Sequence, residues 1–417
     1  MPDTETATIA NRDLDISIER GWDRRTWAVV FSGFCAFLGL YATQPLLPLL
    51  ERYFSVGKVA VSLTVTATTA GVALAAPLIG TIADRFGRKR VIVGSACLLA
   101  LATLLDATAT GLPSLIFWRF LQGVFTPGVF AVTVAYIQEE WADSGAGRAT
   151  AAYVTGTIIG GFTGRMTAGL IASRADWHLV FVALGLASGV AAVVLQAWLP
   201  RERRFIRDAE GFSPLGSAID HLRNKRLLAI FAVGFCVLFS LLGTFTYVTF
   251  YLAAPPFHLS PAAIGSLFVV YLVGAVITPP CGRAIDRYGH RIALAVAIGV
   301  AMLGELLTLS HSLWAVVIGL AAVCSGVFVA QAAANSHIGL AAEHSKALAV
   351  GLYVTFYYVG GSVGAALPGY VWALGGWPAC VGVFVLMQLT IVAIALAAWG
   401  APSDAAPRDA YSGVRPD

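Results

Sequence analysis

The sequence predicts an all-α polytopic membrane protein with twelve transmembrane helices in two pseudo-symmetric six-helix bundles. Three observations carry that prediction. The 417 residues are 58% hydrophobic and only 12% charged, where a soluble domain carries about 25% charge. Twelve apolar runs each approach the roughly 20 residues that a bilayer core requires of a helix. The most polar internal loop, Gly80-Thr81-Ile82-Ala83-Asp84-Arg85-Phe86-Gly87-Arg88-Lys89-Arg90, returns 202 positions later as Gly282-Arg283-Ala284-Ile285-Asp286-Arg287-Tyr288-Gly289-His290-Arg291.

Taken in order, residues 1–25 form a polar tail without an apolar signal-peptide core, so the first span is expected to act as the insertion signal. Spans 1–6 fall near 26–50, 60–79, 91–109, 112–138, 148–172 and 178–199, giving an N-terminal bundle over 26–200. Residues 201–226 contain seven Lys and Arg and no span-length apolar run, as expected of a linker that touches anionic headgroups. Spans 7–12 fall near 227–253, 264–281, 292–309, 313–337, 347–373 and 377–399, giving a C-terminal bundle over 227–399 and a polar tail at 400–417.

Lys and Arg in alternate connections set the orientation. One side holds 22 of the 27 and the other holds Arg52, Lys58 and Arg174, while Arg119 and Arg165 lie inside spans. Both termini are therefore expected on the cytoplasmic side. Duplication extends beyond the loops. Gly33-Phe34-Cys35 returns as Gly234-Phe235-Cys236, and Tyr153, Val154, Thr155, Gly160, Gly161, Gly164, Gly169 and Trp177 all recur at an offset of 200. Two parallel six-helix repeats are the architecture of an alternating-access transporter.

Within the loop, Gly80 is expected to allow close helix approach and Gly87 a sharp turn, while Asp84 can pair with Arg85 or cap a helix. Arg119 and Arg165 are costly in a span, about 2.5–3.5 kcal/mol on insertion scales, and by helix rise they sit at similar depth. For Arg119, snorkelling to the outer surface is the alternative to a role in transport. No carboxylate lies mid-span in spans 1, 2, 4 or 5, so the two cations predict a positively biased site. Asp106 ends span 3 and is expected to meet water. Glu305 lies about one turn from the outer surface, and Glu139 and Glu140 close span 4, where they could pair with Arg90 or Arg148. His337 and His344, near the cytoplasmic end of span 10, could titrate.

The six cysteines lie in or beside apolar runs without metal-ligand spacing, so they read as small buried hydrophobes, and no metal or cofactor is expected. No phosphate-binding loop, H-E-x-x-H string or Ser/His/Asp arrangement is visible. The sequence therefore predicts neither an enzyme nor a nucleic-acid binder.

The string G-x-x-x-D-R-x-G-R-[KR] between spans 2 and 3, with its weaker copy between spans 8 and 9, resembles the signature loop of the major facilitator superfamily. Arg119-Phe120-Leu121-Gln122-Gly123 resembles that family's fourth-span motif. Gly160-x-x-x-Gly164-Arg165-x-x-Ala168-Gly169 resembles its fifth-span antiporter motif, with Arg165 in place of the proline and Ala168 in place of one glycine. The resemblance covers residues 26–399 and points to the twelve-span, drug/proton antiporter-like efflux branch, which includes arabinose-efflux-like permeases.

It implies a secondary transporter that moves a small organic solute across the bacterial cytoplasmic membrane by proton-coupled efflux, working as a monomer among membrane lipids. It implies a conformational latch at Gly80, Asp84, Arg85, Gly87, Arg88, Asp286 and Arg287, with Lys89 and Arg90 serving topology. Arg119 and Gln122 are implied in coupling, and Glu305 is placed on a peripheral helix. Pore-lining spans and their neighbours nominate Tyr41, Gln44, Thr244, Tyr247, Tyr271, Gln331, Asn335 and Tyr357 as cavity residues beside Arg165. An uptake symporter for an organic anion or sugar is one alternative, and a non-transporting membrane sensor or scaffold is another.

Overall fold

The computed structural model describes residues 24–141, 145–202, 220–341 and 346–399. Among these residues there is no strand, and twelve spans run antiparallel in succession. Span 1 is broken into Arg24–Leu38, a 3-10 turn Gln44–Leu46 and Leu47–Tyr53. Spans 2–7 are Lys58–Phe86, Arg88–Asp106, Leu112–Glu140, Ala146–Ala172, His178–Trp198 and Lys225–Ala253. Span 8 is broken into Pro261–Leu267 and Val270–Tyr288. His290–Leu307 and Leu313–Ala341 are spans 9 and 10. Span 11 begins as Lys346–Ala366 and continues into the helix Pro368–Ala398, which loses helical geometry at Gly375 and Gly376; span 12 follows that kink.

By length and hydropathy alone, nine helices among the described residues can cross a membrane. Spans 1, 3 and 5 fall short for visible reasons. Span 1 is interrupted, span 3 opens on Arg88-Lys89-Arg90, and span 5 is rich in glycine and threonine. Large apolar side chains cover the outside of the bundle: Val193 is 69% exposed, Trp314 77% and Leu374 87%. An outer surface of this kind suits lipid and not water.

Local chemistry fixes the ends. The turn from span 2 to span 3 is made at Gly87, whose φ is +93°, and the equivalent turn from span 8 to span 9 at Gly289, whose φ is +82°. Both glycines belong to the duplicated loop, and both occupy backbone space that side-chain-bearing residues avoid. Asn224 caps span 7 by accepting from the backbone N–H groups of Arg226 and Leu227, and Ser260 caps span 8 ahead of Pro261 at its first turn.

The packing repeats between the halves. Span 1 lies on span 5 as span 7 lies on span 11, and span 4 covers span 2 as span 10 covers span 8. Glycines set the 1–5 contact. A Cβ at Gly156, Gly160 or Gly164 would run into the carbonyls of Val30, Phe34 or Leu38, so the four-residue spacing on one helix meets the same spacing on the other. Gly360 and Gly364 repeat the arrangement against Phe235 and Phe239. The two halves meet where span 2 packs on span 11 and span 5 on span 8, pairs related by the same pseudo-two-fold axis.

Candidate functional site

The site forms around the break in span 1. Pro45 and Pro48 lack backbone N–H donors, so the chain from Gly39 to Leu47 cannot continue as a regular helix. Across the turn Gly39 O keeps a bond from Ala42 N at 3.2 Å, whereas among the described residues Leu40 O has no backbone donor, and Arg119 reaches both carbonyls. Its Nη1 donates to Gly39 O at 2.9 Å, its Nη2 to Leu40 O at 2.6 Å and its Nε to Thr64 O of span 2 at 3.3 Å. Nη1 also donates to Gln122 Oε1 one turn further along span 4, and Gln122 Nε2 donates to Thr103 Oγ1 of span 3 at 2.8 Å. Arg119 and Gln122 are fully buried. The guanidinium therefore points inward and joins spans 1, 2 and 4, with Gln122 adding span 3, which excludes snorkelling in this conformation.

Arg165 holds the other end of the break. Its Nε donates to Gln44 Oε1 at 2.8 Å and its Nη1 to Gly161 O at 2.9 Å. The guanidinium carbon lies 4.7 Å from the ring centroids of Tyr41, Phe268 and Tyr271, so cation–π attraction holds it from three sides. Phe268 and Tyr271 flank the interruption in span 8, in the opposite half. The backbone at Arg165 sits directly on span 8, since a Cβ at Gly265 would come within 2.8 Å of Arg165 O. Among the described residues no carboxylate lies within 4 Å of Arg165, and its Nη2 meets no acceptor.

Aromatic rings continue from this cation. Tyr271 packs on Phe328 of span 10 at 5.6 Å, and Tyr357 of span 11 donates to Gln331 Oε1 at 2.9 Å. Tyr357 stacks on Tyr353 and meets Tyr358, which in turn faces Phe130 of span 4. Tyr41, Gln44, Arg165, Tyr271, Gln331 and Tyr357 thus fall in one region bounded by spans 1, 5, 8, 10 and 11.

The remaining candidates lie elsewhere. Tyr247 is fully buried in the seam between the halves, donating to Ala365 O at 2.9 Å and to Ser62 Oγ at 3.3 Å. Thr244 donates to Glu305 of span 9, and Asn335 is exposed near the end of span 10. Phe268 and Tyr358 escaped the sequence reading because an apolar-looking ring in a span carries no mark of which helix face it occupies. Phe268-Val269, where span 8 breaks, contains neither proline nor glycine, so no local signal marked that interruption either.

Asp106, Glu139 and Glu140 depart from expectation. Asp106 does not meet water: it is fully buried, and neither carboxyl oxygen has a hydrogen-bond partner. The connection after it folds back so that Ala109 O faces the His178 ring of span 6, covering the helix end. Glu139 pairs with Arg88 at 2.7 Å and Glu140 with Arg25 at 3.4 Å, not with Arg90 or Arg148, because spans 3 and 1 bring those cations closer. Glu305 is buried, with Oε1 accepting from Thr244 and Oε2 unpartnered.

In the duplicated loop, Asp84 pairs with Arg88 at 2.6 Å, one helical turn away, and not with Arg85. Lys89 Nζ donates to Gln196 O at 2.9 Å. These contacts of Asp84, Arg88 and Lys89 stay within the N-terminal half. A Cβ at Gly80 would meet nothing within 4 Å, so this glycine makes no close helix contact in this conformation. Arg287 is exposed, and the side chains of Asp286 and His344 lie outside the described residues.

The model of the Major Facilitator Superfamily matches residues 29–255 and 245–415, which together span nearly the whole chain. The chain belongs to this superfamily. Superfamily relatives resemble it over most of their length. It is 33% identical to the uncharacterized MFS-type transporter YybF of Bacillus subtilis, over 87% of this chain and 90% of that protein. It is 32% identical to the inner membrane transport protein YnfM of Escherichia coli, over 88% of each. A crystal structure of the nucleoside transporter NupG has the same superfamily fold, with a TM-score of 0.75 at 14% identity, covering 90% of this chain and all of that one. The chain is accordingly a membrane transporter and not an enzyme, and a transporter of this superfamily takes a small solute.

Proposed function

We propose that this transporter exports a small organic anion or neutral solute from a bacterial cell by proton-coupled alternating access, as the drug/proton antiporter-like efflux branch does. The observation that carries the reading is Arg165: a buried guanidinium with a free Nη2, ringed by Tyr41, Phe268 and Tyr271, with no carboxylate within 4 Å among the described residues. A carboxylate or similar acceptor on the solute completes that guanidinium, the rings take its apolar body, and Gln331 and Tyr357 offer further hydrogen bonds. A cationic drug meets repulsion there.

In this reading the face rich in Lys and Arg is cytoplasmic, both termini lie there, and the bundles of residues 26–200 and 227–399 rock about the site as a monomer. Inter-half contacts gather toward the opposite, cation-poor face: Gln44 to Thr246, Tyr247 to Ser62, and Ser362 to Thr69. That distribution supports a conformation closed to the outside and accessible from the cytoplasm. The latch of Gly80, Asp84, Arg85, Gly87, Arg88, Asp286 and Arg287 engages when the halves close on the cytoplasmic side.

Proteoliposomes carrying a proton gradient, screened against a library of organic acids, neutral metabolites and cationic dyes, test this reading. The expected result is proton-linked flux of an acid or neutral solute. For an acid, binding weakens roughly 10- to 100-fold in Arg165→Ala, the scale of one lost charge-assisted hydrogen bond. Strong extrusion of cationic dyes that survives Arg165→Ala would overturn the anion preference.

A further inference from the structure

Among the described residues, the acids Asp106 and Glu305 are fully buried outside the aromatic site, and Asp106 faces a cation it does not touch. Gln122 donates to Thr103 across the antiparallel interface of spans 4 and 3. Three residues along each helix in opposite directions, the same register sets Arg119 opposite Asp106. Yet Arg119 gives its bonds to Gly39 O, Leu40 O, Thr64 O and Gln122, using four of the five N–H groups a guanidinium offers. Both oxygens of Asp106 are left without a hydrogen bond, and no salt bridge to Arg119 forms.

A fully buried carboxylate with neither hydrogen bond nor ion pair is costly, and protonation removes the larger part of that cost, the part due to the charge. We propose that Asp106 is a proton switch for Arg119: it holds a proton in the conformation described here, and on losing it draws the guanidinium away from the carbonyls of Gly39 and Leu40. Deprotonation then removes the donors that hold the break in span 1, the segment that also presents Tyr41 and Gln44 to Arg165. The proton site and the solute site are thereby joined through one stretch of backbone. This inference rests on the proton-coupled reading above.

Among the described residues, the groups facing Asp106 leave Arg119 as the one charged partner close to it. Span 4 presents Arg119. The start of span 6 presents His178, whose ring is committed to Asp176 and to Ala109 O. Span 2 presents the Thr64 carbonyl, and span 1 presents Gly39 and Leu40. Glu305 in the second half has no such arrangement. Its carboxyl accepts from Thr244, and at offsets of 200 to 202 from Arg119 the chain has Gly319, Leu320 and Ala321, none of them charged. Glu305 therefore serves as the control.

The test uses the full-length protein in lipid nanodiscs, with protons as the only ligand. Infrared difference spectra between acid and alkaline pH are expected to show a titrating carboxyl band that Asp106→Asn removes and Glu305→Gln leaves in place. Spin labels at exposed Gln138 and Ser336, on the pseudo-equivalent spans 4 and 10, are expected to change separation with pH. In Asp106→Asn the separation should stay fixed at its acid value.

A pH response in Asp106→Asn equal to that of the parent overturns the switch, whatever ion drives transport. If the reconstituted parent moves no solute with protons while the Asp106 band and the label separation still titrate, the proton-coupled reading fails and the switch stands. Should Asp106→Asn not fold, Asp106→Glu carries the test: the repositioned acid must shift the midpoint of the pH response, and an unchanged midpoint overturns the proposal.

Discussion

Arg119 and Arg165 are both buried span arginines, but they perform different tasks. Arg119 completes backbone: it satisfies Leu40 O, which the break in span 1 leaves without a backbone donor among the described residues, and adds a second donor to Gly39 O. A buried carbonyl left without a donor costs about 1–3 kcal/mol. Arg119→Met, which keeps length but removes every donor, should therefore lower the thermal unfolding midpoint in detergent by several degrees. Arg119→Lys should recover part of it, because one ammonium cannot span carbonyls on two helices. Equal melting of Arg119→Met and the parent would show that the network contributes nothing to folding. Arg165 spends only two of its nitrogens on protein acceptors and rests on rings instead, so its loss should be felt in solute binding more than in melting.

At the scale of elements, the glycines of span 5 and those of the duplicated loop behave differently. Gly164 sits so close to Leu38 O that no side chain fits without moving span 1, whereas Gly80 faces open space. Gly164→Val should destabilise by about 1–3 kcal/mol, the usual range for overpacking, and should lower the yield of folded protein. Gly80→Ala should keep the melting midpoint or raise it slightly, since a helix interior favours alanine over glycine. Thermal denaturation of the two variants side by side decides the matter. Any flux defect in Gly80→Ala without a fall in melting would point to a close approach made only in the other conformation. The two broken helices share a logic as well. Span 1 breaks at residues 39–46 and span 8 at 268–269, and Arg165 bridges the two interruptions across the halves.

At the scale of the molecule, alternating access requires the seam at the cation-poor face to open. Its edge is the contact of Val59 at the start of span 2 with Gly369 late in span 11, where a Cβ on the glycine would lie 2.6 Å from Val59 Cγ2. Cysteines at both positions, in a background lacking the exposed Cys97, should cross-link on oxidation and stop flux, and reductant should restore it. Flux that continues with the cross-link intact would mean that the halves do not separate there. The same seam explains Tyr247, whose hydroxyl bonds Ser62 of one half and the Ala365 carbonyl of the other.

Membrane character and the two sixfold sets of spans were legible in the chain because they rest on composition and repetition, and the family was legible because its motif strings stand in the loops and spans. Apolar runs of bilayer length can satisfy their backbone only as helices. The duplicated loop survives as a string because its turns at Gly87 and Gly289 demand the same residue twice. The cost of a buried charge made Arg119 and Arg165 visible as well. Tertiary structure alone decided what those arginines do. Whether Arg119 reaches outward or into the break of span 1 depends on where spans 1, 2 and 3 lie around it, which no local pattern encodes. Asp106 looked like a helix end at the surface because burial there comes from a neighbouring span and a folded-back connection, not from residues near it in the chain.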